Sequence, residues 1–150
     1  MSLLILLNDD IKTAMKAKDK ETLSVLRMLK SAIQNEQIKT GRELNGEEEL
    51  TVLSREMKQR KDSLAEFEKA ERDDLIDKVK IEMTIVEKYM PEQLSDDQLR
   101  EIVAHAINQT NATSMQAFGK VMSAVMPEVK GKADGNQVNA IVKELLQEQS

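Results

Sequence analysis

Apolar residues along this chain recur at steps of three and four with charged residues between them, the period of helices that bury one face. The first stripe is Leu4, Leu7, Ile11, Ala14 and Met15, with Asp9, Asp10, Lys12 and Lys16 largely off it. It predicts a helix from about Leu3 to Ala17. Asp19 is placed to cap the second helix, since its carboxylate can accept from the free N–H groups of a first turn. That helix carries Leu23, Leu26, Leu29 or Lys30, Ile33 and Ile38, and Gly41 terminates it inside a loop over residues 40–46. Asn45 followed by Glu48 reads as a capping box for a long third helix reaching about Ala70. Its stripe is Leu50, Leu53, Met57, Leu64 and Phe67, interrupted at Arg60 and Lys61. After a turn at 71–74, Leu75, Ile76, Val79, Met83, Val86 and Tyr89 mark a fourth helix. Pro91 ends it: the residue before a proline is pushed out of the helical region, which makes Met90 the stop.

Ser95 with Gln98 opens a second group of helices through another capping box. Leu99, Ile102, Val103, Ala106 and Ile107 form its first stripe, and residues 108–113 form a polar loop. Met115, Phe118, Val121, Met122 and Val125 form the next stripe, stopped at Pro127. Asp134 is placed to cap the last helix, which carries Val138, Ile141, Val142, Leu145 and Leu146. The expectation is an all-α protein: an N-terminal four-helix lobe over residues 1–90, a hinge near 91–94, and a C-terminal three-helix lobe over residues 91–150. Composition agrees. Aromatics are only 2% of the 150 residues, so the core must be Leu, Ile, Val, Ala and the nine Met. Such side chains suit helix-on-helix packing rather than a large sheet.

Composition also narrows the chemistry. There is no Cys, which excludes disulfides, thiolate metal sites and thiol nucleophiles. The longest apolar run near the N-terminus, Leu3 to Leu7, is too short for a signal peptide or a membrane span, so a cytoplasmic protein with no membrane partner is expected. The single histidine, His105, has no second His or Cys to share a metal. Asp73-Asp74 and Asp96-Asp97 sit at predicted helix starts, where negative charge offsets the helix dipole. No serine stands in a G-x-S-x-G or S-x-x-K motif, and no phosphate-binding glycine loop is present. No catalytic residue, metal or cofactor is expected.

Two basic groups remain. Arg55, Lys58 and Lys61 recur every three residues on the long helix, either as a solvated face paired with Glu56, Asp62, Glu66 and Glu68 or as a binding stripe. Arg60 and Lys61 also fill the gap in the apolar stripe. A polar residue there, near Arg27 or Asn35 of the preceding helix, would need partners inside the bundle. The second group is Lys120 with Lys130-Gly131-Lys132-Ala133-Asp134-Gly135. Gly131 and Gly135 free the backbone for sharp turns, and the N-terminus of the following helix presents N–H groups to anions. From Gly119 to Lys143, four lysines face only Glu128 and Asp134, in a chain of net charge −5. The segment is a phosphate-backbone contact or a tight turn in which Asp134 caps its own helix.

The runs Arg27 to Asn35, Arg55 to Ser63, Phe67 to Leu75 and Tyr89 to Ser95, with Gly119 through Pro127 to Gly135, resemble the GatB/YqeY family over essentially the whole chain. The likeness is to its stand-alone YqeY-like members. It departs at Ile5, where a charged residue is usual, and at Asn45, where Thr is commoner. The resemblance implies an all-α fold whose C-terminal lobe is similar to the tail domain of the B subunit of glutamyl/aspartyl-tRNA amidotransferase. That tail helps hold tRNA, while the amidation of mischarged tRNA, with glutamine as nitrogen donor, happens elsewhere in the complex. It also implies a family-level label of carbon–nitrogen ligase, although no ATP site or amidase constellation is present here. By motif, Gly119, Lys120, Lys130, Gly131, Lys132, Ala133 and Asp134 match the segment shared with the tail, Gly119 as a close helix-packing position.

Taken together, these features lead to a non-catalytic tRNA-binding or tRNA-metabolism accessory protein. Lys120, Lys130, Lys132 and the last helix's N-terminus would hold phosphates, and Arg55, Lys58 and Lys61 would extend that surface or meet a protein partner in translation or aminoacyl-tRNA metabolism. The alternatives are a protein-interaction module without nucleic acid and a component of amide transfer.

Overall fold

The computed structural model describes residues 2–149. Among them are seven α-helices and no strand: α1 (Leu3–Lys16), α2 (Lys20–Thr40), α3 (Gly46–Lys69), α4 (Asp73–Glu87), α5 (Asp96–Thr110), α6 (Phe118–Val129) and α7 (Gly135–Gln149), with one 3₁₀ turn at Met115–Ala117. The protein is all-α. The chain divides into two compact units, one ending at Pro91 and the other beginning at Glu92.

In the first unit α1 packs on α2 and α3 on α4, and α2 also touches both members of the second pair. The caps explain the boundaries. Thr22 N–H donates to Asp19 Oδ1 at 3.2 Å, which starts α2. Gly41, at φ +73°, ends it in the left-handed region that a glycine enters without strain. Asn45 and Glu48 make the expected reciprocal box at 2.8 and 3.0 Å, and Arg42 grips Glu48 through both terminal guanidinium nitrogens. The ends of α1 and α3 reach the same left-handed region with Lys18 and Glu71, which carry no sequence signal for it.

The core holds Leu7, Leu26, Leu29, Ile33, Val52, Leu53 and Val86. Ile38, assigned to the α2 stripe from the sequence, is 78% exposed, and Met15 is exposed as well. Both lie near helix ends, beyond the part that a neighbour covers. Leu3, Val25 and Ile85 are buried instead. Helix α4 stops at Glu87 rather than Met90, because Lys88, Tyr89 and Met90 make tighter bonds to carbonyls three residues back. Two long-range ties close the unit. Leu3 N–H donates to Glu49 Oε2 at 2.9 Å, and the Tyr89 hydroxyl donates to the Asp10 carboxylate.

In the second unit α5, α6 and α7 enclose Leu99, Val103, Ile107, Val121, Val125, Val129, Val138, Val142 and Leu146. Ser95 and Gln98 form the expected box at 3.1 and 3.0 Å. Three helix ends differ from expectation. Helix α5 runs on through Thr110 into the presumed polar loop, where Asn111 caps it in a left-handed conformation. Met115 lies in the 3₁₀ turn before α6. Helix α6 continues two residues past Pro127. The fully buried Val129 follows Val121 and Val125 at four-residue steps, so its burial holds the last turn helical despite the N–H that Pro127 lacks.

Two outcomes follow for the first unit. Leu29→Ala, at a fully buried position, lowers unfolding free energy by about 2–5 kcal/mol in urea titration, while Ile38→Ala changes it by about 0.5 kcal/mol or less. Burial and the bond to Asp10 both push the Tyr89 hydroxyl upward from its ordinary value. The folded chain therefore keeps that proton at pH values where the unfolded chain, ionising near about 10, gives it up. This stabilisation is fully present below that pH and is lost as pH rises beyond it. Thermal midpoints across the alkaline range fall less steeply in Tyr89→Phe than in wild type.

Candidate nucleic-acid interface

The α6–α7 turn is fixed by backbone bonds before any ligand arrives. Gly131 sits at φ +75°, and Lys132 and Ala133 N–H groups return to Val129 O at 2.8 and 3.2 Å. The segment before α5 clamps the turn from outside: Leu94 N–H donates to Lys132 O at 2.8 Å, and Gln93 Nε2 donates to Gly131 O at 2.8 Å. Lys132 is exposed and Lys130 half-buried. Their backbones are held while their long side chains can reach solvent.

Of the two alternatives for this turn the structure has the self-capped one, and the roles expected of Gly119 and Gly135 change. Asp134 Oδ1 accepts from Asn136 N–H at 2.8 Å, so the start of α7 is capped by its own carboxylate. A phosphate contact at this turn must then rest on the lysines. Gly119 has nothing within 4 Å of where a Cβ would stand, so it is not a close-packing position. Gly135 is the first residue of α7, with open space around it and no left-handed backbone, so the turn needs only Gly131. Lys120 is exposed at the other end of α6, ten residues before Lys130 and about 15 Å from it along the helix axis. Lys143 stands there too, its Nζ 5.9 Å from the Phe118 ring. The cations flank α6 rather than converging on one point. Ala133 packs partly into the core beside them.

On α3, Arg55 reaches Glu36 of α2 at 3.4 Å, not the acids of its own helix. Lys58 is exposed and Lys61 half-buried. The gap in the apolar stripe is filled by Arg60, which is only 5% exposed. Its partners are not Arg27 or Asn35. Nη1 donates to Glu56 O at 3.0 Å and lies 3.6 Å from the Glu56 carboxylate. Nε stands 3.3 Å from Glu82 Oε1 on α4, an ion pair whose angle makes no hydrogen bond. Nη2 points at the Met28 sulfur on α2, at 3.9 Å. The sequence signalled this residue through the broken stripe, but Glu82, 22 positions on, could not be identified as its partner. His105 is exposed, and among the described residues no group of three or more acidic or histidine side chains could hold a metal.

These observations define a helical protein with a clamped, lysine-bearing turn and one buried arginine. It belongs to the Yqey-like protein family, whose match spans residues 5–146. Among curated relatives, the chain is 28% identical over 93% of its length to "Altered inheritance of mitochondria protein 41, mitochondrial" of Pyrenophora tritici-repentis, covering 78% of that protein. It is 37% identical to the protein of the same name in Clavispora lusitaniae, over 74% of this chain and 66% of the relative. The Saccharomyces cerevisiae protein is 41% identical over 57% of this chain, which spans just under half of that relative. Their names place those proteins in mitochondria, not in the cytoplasm expected above. Among the described residues no helix is long and apolar enough to cross a membrane.

The Arg60 network has a direct test. Glu56→Gln/Glu82→Gln leaves a buried cation without counter-charge and costs about 3 kcal/mol or more in urea titration. Arg60→Met fills the same space and leaves two glutamates that lie nearer the surface, at 14% and 21% side-chain exposure. It costs less than the double change. The reverse order would mean that the arginine itself, not its neutralisation, holds the unit together.

Proposed function

We propose that this chain is a non-catalytic accessory protein that contacts tRNA through backbone phosphates, using Lys120, Lys130 and Lys132 of the C-terminal unit. The carrying observation is the placement of those cations: the clamped turn fixes two of them at one end of α6, with the third about 15 Å along the axis. That spacing suits well-separated phosphates along a polyanion rather than one small anion. The resemblance to the tRNA-holding tail of the amidotransferase B subunit supports the same reading. Gly131 supplies the turn, and Asp134 keeps the helix start closed so that phosphate binding falls to the lysines.

Arg55, Lys58 and Lys61 carry a second proposed contact on the N-terminal unit, with Arg55 already drawn toward Glu36. The chain's net charge of −5 makes the binding weak and salt-sensitive. The proposed compartment is one that holds tRNA, the cytoplasm by the sequence reading and mitochondria by the names of the relatives. The family-level ligase label belongs, in this reading, to a complex in which the chain takes part. Glutamine-dependent amidation by the purified chain alone would replace the proposal.

The test is binding of bulk tRNA by fluorescence anisotropy across a salt series. Wild type binds at low salt, and log affinity falls linearly with log salt. Lys130→Ala/Lys132→Ala flattens that slope by about 1.5–2, as expected for two lost phosphate contacts. No binding at low salt, or an unchanged slope in a folded variant, removes the tRNA reading.

A further inference from the structure

Three adjoining hollows of about 640, 380 and 260 Å³ run along α2 where it meets α3 and α4, and Met28 lines all of them. Together they make one trough. Its α2 wall is the row Lys20, Ser24, Met28, Ser31 and Asn35. The steps of four, four, three and four along this row are close to the seam that helices present to one another in coiled coils. The row is about 22 Å long at 1.5 Å per residue, room for four turns of a docked helix. The α4 wall offers Ile81, and both apolar residues stand in solvent, Met28 at 49% and Ile81 at 43% exposure.

The charge of the trough follows from the buried arginine. Glu56 and Glu82 line it, but both are held against Arg60. Lys20, Arg27 and Lys78 also line it, and none of them makes an ion pair among the described residues. Only Glu21, in the first turn of α2, opposes them without such a partner. Arg60 offsets only one of the two charges on Glu56 and Glu82, so over the lining four cations face three carboxylates, and the trough carries a net charge of +1 over its apolar floor in a chain whose net charge is negative.

We propose that this α2–α3–α4 trough is a docking site for an acidic amphipathic helix of a protein partner, whose apolar face covers Met28 and Ile81 and whose carboxylates meet Lys20, Arg27 and Lys78. The small Ser24 and Ser31 on either side of Met28 let the incoming helix come close. Methionine adapts its unbranched side chain to the knobs it receives. The rim lysines steer the encounter, so association is faster at low salt. This goes beyond the tRNA reading, because it uses the other unit and a different chemical class of partner.

The probe is a fluorescein-labelled, helix-stapled peptide of about 15 residues, with leucines at helical spacing on one face and glutamates beside them, read by anisotropy against the full-length chain. Wild type binds it, and a scrambled peptide of equal composition and a lysine-for-glutamate version do not bind. Met28→Ala weakens binding about tenfold, and Lys20→Ala/Lys78→Ala weakens it similarly while lowering its salt dependence to what Arg27 alone sustains. Because Met28 also touches Arg60, Ile81→Glu serves as a second variant, with the same loss and an unchanged thermal midpoint. Absence of peptide binding, equal binding of the scrambled peptide, wild-type affinity in either the lysine or the Ile81 variant, or displacement of the peptide by bulk tRNA each overturns the proposal. The last outcome would make the trough a polyanion surface instead.

Discussion

Three helices of the N-terminal unit meet at one buried charge. Arg60 lies on the inward face of α3, where the apolar stripe would otherwise continue, and reaches Glu56 of its own helix, Glu82 of α4 and Met28 of α2. A buried guanidinium must be neutralised and hydrogen-bonded, so it dictates which turns of α3, α4 and α2 can stand together. An apolar residue in its place would tolerate small slips between the helices. The arginine also sets the electrostatics of the outer surface. By pairing with Glu56 and Glu82 it offsets one of their two charges, so that the nearby cations of α2 and α4 outnumber the carboxylate charge they face, and the trough along α2 owes part of its charge to an interaction beneath it.

The C-terminal unit is organised differently. Its core is wholly aliphatic, with valines at Val121, Val125, Val129, Val138 and Val142 setting close, regular helix contacts. Polar specificity is confined to the rim. Arg100 joins Asp96 at 2.7 Å and Glu144 at 2.8 Å, tying α5 to α7, and these partners push its pKa upward. At so exposed a position the pair orients the helices more than it stabilises them. In the α6–α7 turn the backbone carbonyls of Gly131 and Lys132 accept from Gln93 and Leu94. Two lysines are thus presented from a turn whose shape is already set.

Helix identity was legible wherever chemistry is local. Asp19, Gly41, the Asn45–Glu48 and Ser95–Gln98 boxes and Asp134 all act within three or four residues, and each stands where the pattern placed it. The ends that were misjudged lack such a device or depend on burial. Lys18, Glu71 and Asn111 turn the chain in a conformation normally signalled by glycine. Pro127 reads as a stop, yet the burial of Val129 carries the helix past it. Gly119 and Gly135 belong to a recognisable motif, but nothing packs near them. The candidate cations were all visible as residues, while their division between the two ends of α6 follows only from the helix length.

The sequence by itself therefore determined the helical class, most of the caps, the bulk of both cores and the presence of a polar residue inside the α3 stripe, because these depend on periodicity and on contacts a few residues apart. Tertiary structure alone decided that Arg60 rather than Lys61 is enclosed, that Glu82 answers it, that Asp10 takes the Tyr89 hydroxyl, and that Met28 and Ile81 stay open to solvent. Those outcomes depend on which helices are neighbours and how far each covers the next. Stripes of similar width on several helices do not encode that, whereas the packing of specific side chains does.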